Sequence, residues 1–192
     1  MCRRRKVAWW LVLLVFAFGA RESFASKARL VPIHMTIAER GEVKGYMLLT
    51  ESNELSFLPP HEWKQQARLD RCEVIFLSPD LTSSLTLQLI DGHVTNGWSW
   101  EAVRGTLAQR FPNGRIKDEL ECYACDVIGR AYDIEETGGA GGKMVTRIAT
   151  VPCQSATLEI RLTAPKSRFP LLNNSYGVFM ASLRLKRVVE SP

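Results

Sequence analysis

Histidine is scarce in this chain: His34, His61 and His93 are the only three in 192 residues, and they fall on separate segments. His61-Glu62 lacks a second histidine four residues on, where Gln65 stands, so the helix motif of zinc proteases is excluded. No second cysteine pair with zinc-ligand spacing accompanies Cys122 and Cys125. Beyond residue 18 no apolar run approaches the length needed to span a bilayer. Internal repeats, low-complexity tracts and long linkers are also missing. No catalytic constellation stands out, so neither a cofactor nor a metal is expected.

A surplus of charge is lacking too, once the N-terminus is set aside. Arg3-Arg4-Arg5-Lys6 precedes an apolar run over 7–18, and Ser23-Phe24-Ala25 supplies small residues for cleavage, the order of a secretory signal peptide. Residues 1–25 carry five of the 25 basic residues and one of the 20 acidic ones, which leaves 20 against 19. The apparent basicity therefore belongs largely to the leader and is no evidence for nucleic-acid or anionic-membrane binding, so no nucleic-acid partner is expected. An exported product is expected, periplasmic or extracellular, with no stable membrane anchor after cleavage.

Cys2 leaves with the leader, and Cys72, Cys122, Cys125 and Cys153 remain, an even number in a chain bound for an oxidising compartment. The sequence from 122 to 163 reads as a β-meander: a strand over 127–134, a turn at Gly138-Gly139-Ala140-Gly141-Gly142, a strand over 143–151 and another over 156–163. In the last, Ala156, Leu158, Ile160 and Leu162 alternate with Thr157, Glu159, Arg161 and Thr163, the two-residue period of a half-buried strand. Folding about the glycine turn sets Cys125 almost opposite Cys153, the first choice for a disulfide. A bulge near Tyr123 would exchange Cys122 for Cys125, and Cys122 reaches Cys72 only if their strands are neighbours.

Earlier strands are expected over 30–37, 43–50, 54–58, 72–78 and 84–90, with Pro32 placing the first at an edge. Residues 61–69 support a short helix or irregular turn. Ser99 caps a helix over 100–110 whose apolar stripe is Trp100, Val103, Leu107 and Phe111, and Asn174 or Ser175 starts a last helix carrying Tyr176, Phe179, Met180 and Leu183. A weaker strand over 116–122 lies between. The expected organisation is a signal peptide (1–25), N-terminal strands (26–53), one domain (54–185) and a loose tail (186–192), in the α+β class.

Phe57-Leu58-Pro59 with Trp63, Phe76, Ser78-Pro79, Trp100, Gly129, Arg147, Phe169, Phe179 and Ser182-Leu183 occur in an order that resembles the PsbP and Ran-binding Mog superfamily. The resemblance covers about 54–185 and implies a single domain with a central antiparallel sheet flanked by helices. The superfamily ranges from photosystem accessory subunits to a nuclear-transport regulator, so it implies no shared activity and transfers no functional residue.

Cys122-Tyr123-Ala124-Cys125 has the spacing of a thiol-disulfide oxidoreductase, but Asp126-Val127-Ile128 continues as strand rather than helix, so a structural disulfide is favoured over redox chemistry. Trp98 and the glycines Gly138, Gly139, Gly141 and Gly142 mark two loops that could meet a partner. The glycine run precedes a strand, so it lacks the helix dipole of a phosphate site. Asn173-Asn174-Ser175 fits a glycosylation acceptor. The expected function is a non-enzymatic binding or accessory protein for a protein or small envelope ligand; the alternative is a thiol-disulfide protein using Cys122 and Cys125.

Overall fold

The computed structural model describes residues 28–37, 41–91, 99–137 and 142–188. The expected leader, His93, Trp98, Gly138, Gly139 and Gly141 lie outside them, while Gly142 is described and exposed. The strands are β1 (Arg29–Ile37), β2 (Gly41–Leu49), β3 (Asn53–Phe57), β4 (Lys64–Arg68), β5 (Glu73–Leu77) and β6 (Ser84–Asp91). After helix α1 (Trp100–Arg110) come β7 (Arg115–Ala124), β8 (Val127–Thr137), β9 (Lys143–Pro152) and β10 (Ala156–Pro165), then α2 (Phe169–Ser182) and β11 (Arg184–Arg187). The class is α+β, as expected. Where one sheet was expected there are two, both antiparallel: β1-β2-β3-β11 and β4-β5-β6-β10-β9-β8-β7.

The meander defines the larger sheet. Leu158, Ile160 and Leu162 of β10 stand opposite Leu89, Leu87 and Leu85 of β6, so six apolar side chains share one face. On that face lies the main core, which also holds Phe57, Phe76, Tyr176 and Phe179. On the other face, among the described residues, Tyr132, Ile134 and Ile148 form a second, smaller apolar cluster with Leu107 of α1. Elsewhere that face carries polar residues such as Glu159, whose carboxylate receives both guanidinium nitrogens of Arg110 at 2.6 and 2.8 Å.

Four expectations are corrected. Residues 64–68 form β4 rather than a helix, because Gln65 and Ala67 pair with Phe76 and Val74 along a polar edge strand. Helix α2 begins at Phe169, well before Asn174: its start has no side-chain cap, and Pro170 in the first turn, where its missing N–H costs nothing, takes the place of one. Lys186 and Arg187, assigned to a loose tail, pair with Glu54 and Asn53 of β3. The weak strand before the meander extends to Ala124 as one arm of a tight hairpin with β8. Because β2 and β11 both flank β3, the N-terminal strands share a sheet with the end of the described chain.

Ser99 caps α1 as expected, accepting from the Ala102 N–H at 3.1 Å. Trp100 is half-buried rather than core: its ring lies under the Arg130 guanidinium at 5.0 Å, and Arg130 is held by Glu119 at 2.6 Å. Trp100→Ala is accordingly expected to cost about 1 kcal/mol, the scale of a partly exposed cation–π contact with some lost packing, rather than the 3 to 5 of a buried aromatic. Urea denaturation checks it.

Candidate functional site

Two places collect side chains with chemistry. The first is built where β3 ends. Pro59 and Pro60 have no N–H for ladder pairing, so the chain leaves the sheet after Phe57 and turns, with Trp63 N–H closing on Pro60 O at 3.3 Å and Glu62 held in the left-handed region at φ 64°. Leu58 N–H donates to the Ser182 hydroxyl at 3.0 Å, which ties this loop to the end of α2. Below it, Phe57, Phe76 and Phe179 form a three-ring cluster with centroids 5.7 to 6.1 Å apart, and Tyr46 stacks on Phe57 at 6.2 Å.

The loop, β2 and α2 enclose a groove of about 640 Å³. Val43 and Tyr46, Pro60 and Trp63, and Val178 and Phe179 are its apolar surfaces, one pair from each element. Lys44, His61, Glu62, Gln65, Asn174 and Ser175 add polar groups. His61 and Glu62 lie 3.8 Å apart with side chains 92% and 72% exposed, so they stand in solvent at the mouth. The side-chain oxygen of Gln65 is buried with no hydrogen-bond partner. Sequence reasoning missed this site, although the run Leu58-Pro59-Pro60 followed by Trp63 was its local signal.

The second place is the cysteine end of the large sheet. Cys125 and Asp126 are the two central residues of the β7–β8 turn, both at positive φ, 51° and 60°, as a type I′ hairpin turn requires. Tyr123 donates its hydroxyl to Asp126 at 3.1 Å across that turn. The β9–β10 connection is equally tight, with Cys153 N–H bonded to Ala156 O at 2.9 Å. These two turns bring the Cys125 and Cys153 side chains together. Their interaction lowers the Cys153 thiol and raises the Cys125 thiol, which burial raises further.

Cys122 is arranged differently. It sits on β7 opposite Gly129, where any Cβ would meet Thr150 O at 2.4 Å and Cys122 Sγ at 3.1 Å, so a bare glycine is what lets β7, β8 and β9 pack here. Burial pushes the Cys122 thiol up to about 11, against the opposing pull of a Gly129 backbone hydrogen bond and Arg147. Cys72 is buried before β5, five strand positions from β7. At the usual strand spacing that is roughly 24 Å, far beyond disulfide reach, so the condition for a Cys72–Cys122 bond is not met. The irregularity in β7–β8 pairing falls between Ile116 and Asp118 rather than near Tyr123, so no bulge shifts Cys122 into the place of Cys125.

Arg147 of β9 clamps α2 onto the large sheet. It makes a bidentate pair with Asp133 at 2.7 and 2.7 Å, donates to Asn173 at 3.1 Å, and lies over the rings of Phe169 and Tyr176 at 5.1 and 5.7 Å. The Asp133 hydrogen bonds raise its pKa further. Asn173 of the acceptor triplet is thus on a helix and engaged by Arg147.

No family model and no curated protein matches the chain. Among solved structures it is similar to LpqN of Mycobacterium tuberculosis, described as involved in cell envelope biogenesis: 14% identity over 83% of this chain and 92% of that one, TM-score 0.52. It is also similar to the cyanobacterial PsbP of Synechocystis sp. PCC 6803, with 11% identity over 69% of this chain and 86% of that one, TM-score 0.50. The fold is PsbP-like. A protein of Bacteroides thetaiotaomicron aligns at 14% identity and TM-score 0.47 over 71% of this chain, which spans 46% of that protein's length. In this PsbP-like fold the residues that carried the sequence resemblance have packing roles: Phe57, Phe76 and Phe179 make the ring cluster, Arg147 clamps α2, and Ser182 receives the loop. Among the described residues no helix is long and apolar enough to cross a membrane.

Proposed function

We propose that the chain is an exported, non-enzymatic binding protein that holds a small envelope ligand in the groove between β2, α2 and the loop over 58–63. On this reading the seven-stranded sheet is a central layer with α1 over one face and α2 with the small sheet over the other. The observation that carries it is the groove itself, whose 640 Å³ is the size of a small-molecule site and whose apolar pairs come from three separate elements. His61 and Glu62 stand solvated at its mouth rather than aligned on a reacting atom, which favours holding over turnover. Export is supported by the charged, apolar and small-residue order of 1–25. The involvement of LpqN in cell envelope biogenesis is compatible with it.

A Cys125–Cys153 disulfide belongs to the same reading. A thiol-exchange role for Cys122 and Cys125 has less support: Cys125 lies beside Cys153, the pair leads into a hairpin turn rather than a helix, and burial raises the Cys122 thiol where an exchange nucleophile needs it lowered.

Native mass spectrometry of the mature protein isolated from an envelope fraction tests the proposal. The expected species starts near Ser26 and carries a small-molecule adduct that is lost on denaturation. Val178→Trp, at an exposed position lining the groove, should remove the adduct without unfolding the chain. A mature species retaining 7–18, or an adduct that survives in the variant, overturns it.

A further inference from the structure

Leu48, Leu55 and Phe57 turn one face of the small sheet into the main core, with Leu30, Tyr46 and Leu185 packed beside them. Side chains alternate across a strand, so the residues between these belong to the outer face. There Val31, Ile33 and Met35 of β1 stand beside Met47 and Leu49 of β2: Val31 is directly across from Met47, and the Met35 sulfur occupies the space over the bare Gly45. All five are half-buried, and none belongs to either apolar cluster. Beside this patch the register sets Glu54 and Ser56 of β3, then Arg184 and Lys186 of β11, with Arg29 at the start of β1. The face thus carries three cations against one carboxylate, and none of the three makes an ion pair with a described residue. Arg184 donates instead to the Ala181 and Leu183 carbonyls, at 2.7 and 2.8 Å. On the large sheet, by contrast, Arg147 and Arg161 each hold a carboxylate.

We propose that the outer face of the small sheet is a peripheral membrane-binding surface that rests on an anionic phospholipid leaflet. The five apolar side chains enter the headgroup boundary, and Arg29, Arg184 and Lys186 meet the lipid phosphates around them. Net charge gives no sign of this, because 20 basic residues face 19 acidic ones after residue 25; the signal is segregation of unpaired cations beside an apolar face. A second copy suits the face less well. Two-fold pairing would set the three cations near their own images with only Glu54 to offset them, and Pro32 has no N–H to offer an added strand. Binding of this kind is reversible and weakens with salt.

Flotation of the full mature chain with vesicles of phosphatidylcholine alone, or mixed with phosphatidylglycerol, tests this surface. Each net positive charge near an anionic leaflet is worth about fivefold, so at low salt the mixed vesicles should bind about 25-fold more tightly, and high salt should remove the difference. Arg29→Gln with Lys186→Gln should bring the mixed vesicles down to the level of phosphatidylcholine alone. Met47→Glu should lower binding to both, and Ile33→Thr reads the same apolar contribution if Met47→Glu lowers the unfolding midpoint. Val178→Trp, in the groove, should change neither affinity. Absence of binding, equal affinity for the two vesicles, or a preference that survives the paired glutamine variant would overturn the proposal. Loss of vesicle binding in Val178→Trp would move the lipid contact to the groove and overturn it as well. A dimer that Met47→Glu dissociates, with no binding to vesicles, would give the face to a second copy.

Discussion

Phe179→Ala is expected to lower the unfolding free energy by about 3 to 5 kcal/mol, the cost of deleting a large ring from a core that cannot close over the space. The side chain is 1% exposed and contacts Phe57 and Phe76 with ring centroids 6.1 and 5.7 Å away. Those rings come from β3 and β5, which belong to different sheets, so Phe179 is the point at which α2 joins both. Edge-on contacts of this kind add to area burial and are lost together with it. Leu171→Ala on the same helix is the control: at 76% exposure it should change stability by less than about 0.5 kcal/mol. Urea midpoints with unchanged slopes would read both values. A Phe179→Ala protein that unfolds at the wild-type midpoint would mean that α2 does not seal the core.

The same helix shows how far the sequence could be read. Tyr176, Phe179 and Met180 were legible because they recur at helical spacing and all three are buried. The first turn was not, because its cap signal is missing and Asn174 and Ser175 look like a start, whereas Phe169 is placed by tertiary packing, in the core and under Arg147 of β9. Strand β10 was legible because alternation fixes its faces, while β4 was not, since an edge strand of polar residues has no apolar period to show. The groove was invisible for a different reason. Its walls come from β2, the loop after β3 and α2, and only tertiary packing brings segments so distant in sequence together. The cysteine pairing was half legible: the observed register Arg130↔Thr150, continued, sets Cys153 across from Val127, and the left-handed turn at Cys125 makes up the two-residue difference.

Oxidation of the mature protein is expected to give one Cys125–Cys153 bond, with Cys122 left as a thiol. The two side chains already interact, and each sits in a tight turn whose backbone is set by its own strand pair. In the reaction the two thiols give up two protons and two electrons to a disulfide-bearing oxidant, which leaves as two thiols. The product closes a loop of roughly 30 residues and should stabilise the fold by about 3 to 4 kcal/mol in the chain-entropy picture. It also pins the β7–β8 turn, which takes a backbone hydrogen bond from Leu185 of β11, to the β9–β10 turn, where Ser155 donates to Asn53 of β3. The bond therefore fastens the large sheet to the small one at the end where both converge. Reduction, or Cys153→Ser, should lower the urea midpoint accordingly. Cys122→Ser should leave the linked peptide unchanged, and at pH 8 the Cys122 thiol, raised to about 11, should alkylate slowly in the folded protein. Peptide mapping without reduction decides the connectivity. A Cys122–Cys125 bond that cycles with a mild dithiol would replace the structural staple with exchange chemistry, because only that pairing leaves both sulfurs on one hairpin and free of the β9–β10 turn.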